Sequence, residues 1–184
     1  MEIFTDKAAM RRWSRARRCA GDRLAFVPTM GYLHEGHMSL IELAATHGDV
    51  VAVSIYVNPS QFGPDEDFDI YPRDSEGDLS KLRGLGVDAV FMPADLYARP
   101  GAGPPHETWI EVEQLQRPLC GASRPGFFRG VATVVSKLLH IVEPDVAVFG
   151  RKDHQQWRLV SRMVRDLDMG VEIVAAPIAR EPDG

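Results

Sequence analysis

Residues 24–37 read LAFVPTMGYLHEGH, an apolar run followed by a glycine-containing turn and the start of a helix. The apolar run, residues 24–27, ends at Pro28 and has the length and composition of a buried strand. Residues 36–45 then supply apolar side chains for the inner face of a predicted helix. A strand that turns directly into a helix is the opening of a βαβ unit.

The same alternation of short apolar runs and helix-length segments continues along the chain. Further strands are predicted at 50–57, 87–92, 146–149 and 171–175, with a weaker one at Trp109-Ile110. Helices are predicted at 79–85, 131–142 and 155–167, after a basic first helix between Lys7 and Arg18. This order predicts an α/β fold with a doubly wound, mainly parallel sheet and helices on both faces. Right-handed crossovers then bring the functional loops to the carboxyl ends of the strands.

Composition limits the classes of function. The 184 residues suit one domain, and their formal net charge of −5 argues against a domain that grips nucleic acid through phosphates. Cys19 and Cys120 lie far apart and form no metal-ligand spacing, so two free thiols are expected. The sequence has neither an apolar run of about 20 residues nor signal-peptide features, which predicts a cytoplasmic protein without a membrane span. The basic first helix is interpreted as a solvated face.

Two histidines, His34 and His37, stand three residues apart at the start of the predicted helix and therefore share one of its faces. Free N–H groups and partial positive charge at a helix N-terminus suit a nucleotide phosphate, and Gly31 and Gly36 permit close backbone approach. One alternative is that one histidine caps the helix and the other packs. Zinc binding is a second alternative, but it requires ligands beyond these two imidazoles. The combined pattern favours the phosphate site, and no metal site is predicted.

Polar residues also follow two other predicted strands. Asn58 and Gln61 are neutral hydrogen-bonding groups suited to hydroxyls and a carboxylate, although ordinary turn chemistry before Pro59 also explains Asn58. Lys152 follows Gly150 just past a strand, where a lysine reaches phosphate oxygens as a mobile charge.

Four segments in series resemble the pantothenate synthetase family, which has the HxGH signature of nucleotidylyltransferases. They are HEGH at 34–37, VNPSQF at 57–62, RPGFFRGVATVV at 124–135 and FGRKDHQQ at 149–156. The resemblance covers essentially the whole chain and implies a Rossmann-like fold. It implies an AMP-forming ligase that condenses pantoate with β-alanine through pantoyl adenylate, releasing pyrophosphate. The resemblance further implies that ATP is a substrate, that Mg²⁺ accompanies it and that the protein is a homodimer.

The resemblance also assigns roles to individual positions. His37, His34 and Lys152 would act in catalysis at the phosphates. The nucleotide would contact Met30, Gly31, His34, Gly36, His37, Gly150, Arg151, Lys152, Asp153 and Ala179. Pantoate would bind Gln61 and Gln156, with Asn58 beside them. Asp78 and its acidic neighbours are conceivable magnesium ligands, but the sequence singles none out.

Two positions depart from the family pattern, which usually has His where this chain has Phe127 and Glu where it has Arg151. Arg151 adds positive charge beside the expected phosphate site. Residues 1–178 are predicted to form the ATP- and pantoate-binding domain, and 179–184 to begin the hinge to a C-terminal domain outside this chain. Two rival functions are another HxGH adenylyltransferase, acting on a phosphorylated acceptor, and a nucleotide-binding module without turnover.

Overall fold

A computed structural model describes residues 1–63, 68–97, 106–180 and 183–184, and in these residues six strands form one sheet. The strands are β1 (Glu2–Phe4), β2 (Leu24–Thr29), β3 (Val50–Ile55), β4 (Ala89–Phe91), β5 (Val146–Gly150) and β6 (Glu172–Ala176). The helices are α1 (Lys7–Cys19), α2 (Glu35–Ala45), α3 (Ser75–Gly84), α4 (Cys120–Ser123), α5 (Phe127–Val142) and α6 (His154–Asp166). Single 3₁₀ turns cover Pro59–Gln61 and Arg151–Asp153.

The strand order is β1-β4-β3-β2-β5-β6, and every neighbouring pair is parallel. From β2 the chain continues to β3 and β4 on one side, and it later places β5 and β6 on the other side. The order therefore reverses between β2 and β5. The crevice outside the carboxyl ends of two such strands is where open α/β sheets bind ligands. The loops after β2 and β5 carry HEGH and RKD, so both predicted phosphate segments flank this crevice.

Two apolar clusters cover the two faces of the sheet. Successive strand side chains point to opposite faces, so Leu24 and Phe26 join one cluster while Ala25 and Val27 join the other. The first cluster packs against α1, α5 and α6, and the second packs against α2 and α3. Helices on both faces of a parallel sheet confirm the predicted doubly wound α/β fold.

Several details differ from the sequence prediction, including the unpredicted α4 and the start of α5 at Phe127. The prediction of a weak strand at Trp109-Ile110 was wrong. The Ile110 N–H donates at 3.0 Å to Thr133 Oγ1 on α5, not to a neighbouring strand. β1 was missed because it is only three residues long and is identified by its pairing with β4. Helix α3 begins at Ser75, earlier than predicted, because Asp74 caps it by accepting from the Gly77 N–H at 3.0 Å.

The structure also shows the state of the two cysteines and the character of the helices. Cys19 and Cys120 are both free and exposed, as expected. In the parts of the chain that the structure describes, none of the helices has the length and apolar character needed to cross a membrane.

Candidate nucleotide-binding site

The loop between β2 and α2 is held by a buried carboxylate from α3. Asp78 is 1% exposed, and its two oxygens accept hydrogen bonds from the Tyr32 N–H at 2.8 Å and the Leu33 N–H at 2.7 Å. Lys81, one turn further along α3, donates to the Leu33 carbonyl at 2.6 Å. Gly31 has φ +83°, and a Cβ there would lie 2.9 Å from Ile55 Cγ2. The loop therefore requires glycine at position 31, and the Asp78 carboxylate holds the two backbone N–H groups that follow it.

The two histidines cap α2 reciprocally. His34 is the N-cap residue and its Nδ1 accepts from the Gly36 N–H at 3.1 Å, while His37 Nδ1 accepts from the His34 N–H at 3.4 Å. A Cβ on Gly36 would lie 2.9 Å from Cε1 of His34, so the cap leaves no room for a side chain there. His34 therefore caps the helix as the capping alternative expected, but His37 also takes part in the cap, and the phosphate role of both histidines stays a prediction.

The caps also determine which ring nitrogen carries the proton. An Nδ1 that accepts from a backbone N–H has its lone pair engaged, so the proton of a neutral imidazole must be on Nε2. Both rings thus carry an Nε2–H donor, and their centroids are 4.1 Å apart. Two such N–H donors at a helix N-terminus complement an anion.

The pKa of His37 is lowered from 6.5 to about 4, mainly by burial and also by the neighbouring His34 and Lys152, against the opposite influence of Asp78 and Asp153. His37 is therefore neutral at physiological pH in the ligand-free chain. Because the charges of Lys152 and Asp153 both affect this pKa, the 3₁₀ turn after β5 lies close enough to α2 to interact with it electrostatically.

That turn presents an exposed cation. The Lys152 side chain is 74% exposed, and its Nζ lies 3.6 Å from Asp153 Oδ1. Arg151, where the resemblance predicts Glu, places its guanidinium 5.8 Å from the Trp157 ring centroid on α6. This guanidinium is therefore associated with the first turn of α6.

Asn58 and Gln61 are joined in a buried network at the end of β3. Asn58 is 1% exposed and its Nδ2 donates to Gln61 Oε1 at 2.8 Å and to the Gly130 carbonyl at 3.2 Å. Its Oδ1 accepts from the Tyr97 hydroxyl at 2.9 Å. Both amide protons of Asn58 are thus used inside the protein, so its predicted direct contact with substrate stays a prediction, and one that this network opposes.

Arg124 holds the backbone of the same segment. Its guanidinium donates to the Gln61 carbonyl at 3.2 Å and stacks 3.8 Å from the ring centroid of Phe127. Phe127, where the resemblance predicts His, therefore supports Arg124 through a cation–π contact.

The two neighbouring glutamines at the start of α6 differ in their contacts. Gln155 donates through Nε2 to the carbonyls of Leu115 and Pro118 at 2.9 and 2.7 Å, and it accepts from the Cys120 N–H at 3.2 Å. Gln156 is half-buried. Ala179 is exposed beyond β6. Gln155 thus orders the 115–120 loop, whereas the roles of Gln156 and Ala179 stay predictions.

A cavity of about 270 Å³ opens at the carboxyl ends of β2, β3 and β4. Met30 and Gly31 line it together with Arg73, Asp78 and Met92. The described lining includes none of the other predicted nucleotide or pantoate contacts, so this cavity lies beside the histidine pair on the β4 side.

The described residues contain no group of three or more His, Cys, Asp or Glu side chains that could hold a metal ion. Asp78, a conceivable magnesium ligand from the sequence, is buried and uses both oxygens to bind backbone N–H groups.

Comparison with known proteins identifies the family. The family model described as Pantoate-beta-alanine ligase matches residues 2–184. The chain belongs to this family. A pantoate–β-alanine ligase of Oryza sativa subsp. japonica is 56% identical over 100% of this chain and 66% of its own length. A pantothenate synthetase of Halorhodospira halophila is also 56% identical, over 100% of this chain and 64% of its own. The chain spans 64 to 67% of the length of the curated relatives it matches.

Solved structures agree with the family. Pantothenate synthetase from Thermus thermophilus superposes with TM-score 0.90 at 44% identity, over 100% of this chain and 64% of that one. The pantoate–β-alanine ligase from Francisella tularensis, complexed with β-γ ATP and β-alanine, gives TM-score 0.86 at 38% identity, over 99% and 69% of the two chains.

Several residues that build this site carry no recognisable sequence signal. Asp78 lies on a helix that is distant in sequence from the loop it holds, and Tyr97 follows the short strand β4. Gln155 stands next to the predicted contact Gln156, but only the structure separates their roles. Tertiary contacts of this kind have no local pattern that a single sequence would show.

Proposed function

We propose that this chain binds ATP and pantoate for an AMP-forming ligase that joins pantoate to β-alanine. The observation that carries the proposal is the reciprocal cap of α2, which leaves two Nε2–H donors, on His34 and His37, at the crevice between β2 and β5. The family supports the reaction, and the bound ATP analogue and β-alanine of the Francisella relative support its substrates.

The first step forms pantoyl adenylate. A pantoate carboxylate oxygen attacks the α-phosphorus of ATP, and the bond between that phosphorus and the β-phosphate oxygen breaks to release pyrophosphate. Negative charge grows on the phosphate oxygens, where donors arranged before the reaction stabilise it most. We assign this role to His34 and His37 with Lys152, and we assign the surrounding backbone of Met30, Gly31, Gly36, Gly150, Arg151, Asp153 and Ala179 to the nucleotide.

The second step forms the amide. The neutral amine of β-alanine attacks the carbonyl carbon of the mixed anhydride, AMP leaves, and the amine loses a proton. Gln61 and Gln156 hold pantoate through neutral amide contacts, and the protein contributes positioning rather than a covalent intermediate. Mg²⁺ enters with ATP, bound by phosphate oxygens and water, and counts as part of that substrate.

Pyrophosphate release tests the first step. In a form extended to the length of its relatives, with ATP, pantoate and magnesium present, pyrophosphate should be released, and β-alanine should then release AMP. His37→Ala should lower the rate of pyrophosphate release by about 100-fold, the effect of losing a donor worth roughly 3 kcal/mol, while ATP affinity changes less. Release with a phosphorylated acceptor but not with pantoate would favour another adenylyltransferase. ATP binding without release would favour a binding module.

We also propose, from the family, that residues 1–178 form the nucleotide-binding domain and 179–184 begin a hinge, that the protein is a homodimer, and that it acts in the cytoplasm. The two apolar clusters support a domain with its own core. Sedimentation of the chain tests the dimer.

A further inference from the structure

We propose that Tyr97 and Ser60 are positioning residues that act through Asn58 to orient the Gln61 amide, so that Gln61 offers N–H donors to the acid substrate. This inference rests on the proposed function, because it takes Gln61 as a pantoate contact. It states that Gln61 is the donor in that contact, and it names the residues that orient the Gln61 amide.

Two backbone groups determine the orientation of the Asn58 amide. On one side lies the Ser60 N–H, 3.4 Å from Oδ1, which can only donate. On the other side lies the Gly130 carbonyl, 3.2 Å from Nδ2, which can only accept. A flipped amide would face donor with donor and acceptor with acceptor, so Oδ1 must point to Ser60 and Nδ2 to Gly130.

Two hydroxyls reinforce this orientation. The Tyr97 hydroxyl donates to Asn58 Oδ1 at 2.9 Å. The Ser60 hydroxyl lies 3.0 Å from the same oxygen and 2.8 Å from the Tyr97 hydroxyl, so its proton can go to either. Burial raises the pKa of Tyr97 above its ordinary value of 10.0, which keeps the phenol protonated as a donor at neutral pH.

The second Nδ2 proton of Asn58 passes the orientation to Gln61. It is donated at 2.8 Å to Gln61 Oε1, which places the carbonyl end of the Gln61 amide toward Asn58 and Nε2 at the far end. Within residues 1–63, 68–97, 106–180 and 183–184, Nε2 of Gln61 has no hydrogen-bond partner. Its two N–H groups are therefore available to acceptors such as the carboxylate and hydroxyl oxygens of a hydroxy acid.

The position of Tyr97 is itself held by packing. Its ring lies 5.0 Å from the ring of His106 and 6.0 Å from that of Trp109, and Lys137 Nζ lies 5.1 Å from its centroid. Gly130 lies so close to the Ser60 carbonyl that a Cβ would approach it to 2.3 Å. The groups at both ends of Asn58 are thus fixed in place.

The experiment uses calorimetry on the 184-residue chain, with pantoate and ATP titrated separately. Tyr97→Phe and Ser60→Ala each remove one hydroxyl and should weaken pantoate binding by about 2- to 10-fold, because a net hydrogen bond contributes about 0.5–1.5 kcal/mol. The double variant, which leaves only the Ser60 N–H on Oδ1, should lose about tenfold or more. ATP affinity should stay within about twofold in all three.

Tyr56→Phe is the matched control, since its buried hydroxyl accepts from the Leu96 N–H at 3.4 Å, next to Tyr97 but outside the relay. It should leave pantoate affinity unchanged. Pantoate binding unaffected in the double variant, or ATP and pantoate affinities falling together, would overturn the relay. A wild-type chain that binds ATP but not pantoate would overturn the proposed function, and the relay with it.

Discussion

The titration of His37 is the most direct test of the site as the structure shows it. Burial lowers its pKa to about 4 in the folded chain, against 6.5 when unfolded. Between these values the unfolded chain binds a proton that the folded chain does not, so lowering the pH favours unfolding. The contribution is fully present above pH 6.5 and is lost as the pH falls toward 4.

The size of this effect follows from the fall in pKa. From 6.5 to about 4 it corresponds to about 3 kcal/mol, at about 1.36 kcal/mol per pKa unit. Solvent screening at a half-buried ring reduces the expected contribution to about 1–2 kcal/mol.

The matched variant is His37→Gln. A glutamine at this position keeps an acceptor for the His34 N–H, as Gln does in a capping box, but it does not titrate. Urea unfolding at pH 7.5 and pH 4.5 should show that wild type loses about 1–2 kcal/mol more stability than the variant across this range. Carboxylates titrate in both proteins and largely cancel in the comparison.

Nuclear magnetic resonance of the imidazole nitrogens reports the pKa itself. It should show His37 titrating near 4 in the free chain, and ATP should raise this pKa because phosphate charge favours the imidazolium. A free-chain value between 6 and 7, or identical acid sensitivity of wild type and His37→Gln, would refute the burial of the ring and the neutral-donor assignment.

Three further predictions concern the substrates, the loop and turnover. Gln61→Ala and Gln156→Ala should lose pantoate binding in calorimetry while ATP binding is retained; an equal loss of both ligands would contradict the assignment. Asp78→Ala should lower the free energy of unfolding in urea by about 2–4 kcal/mol because two N–H groups of the β2–α2 loop lose a charged acceptor. The exposed Glu76→Ala on the same helix should cost less than about 0.5 kcal/mol, and equal effects would contradict the anchor. The 184-residue chain should release AMP far more slowly than a form extended to the length of its relatives, since closure that excludes water strengthens charge stabilisation; comparable rates would contradict this.

The positions of five of the six described strands and of most helices could be predicted from the sequence because they depend on local patterns. Runs such as residues 24–27 and 146–149 are wholly apolar and contain β-branched and aromatic residues, and they are strands in the sheet. The position of HEGH after the first such run also follows from chain order. The weak strand at 109–110 failed because a short apolar pair does not distinguish a strand from a loop segment bonded to α5.

What the sequence determined was the βα alternation, the loop after β2 and the amino acids available there. Only the tertiary structure decided that β2 lies beside β5, which brings Lys152 within electrostatic range of His37. It also decided that Asn58 donates both amide protons to groups inside the protein and that Asp78 accepts from the backbone of the β2–α2 loop. The physical reason is that hydrogen bonding and burial depend on partners distant in the chain, and periodicity reports only neighbours along it.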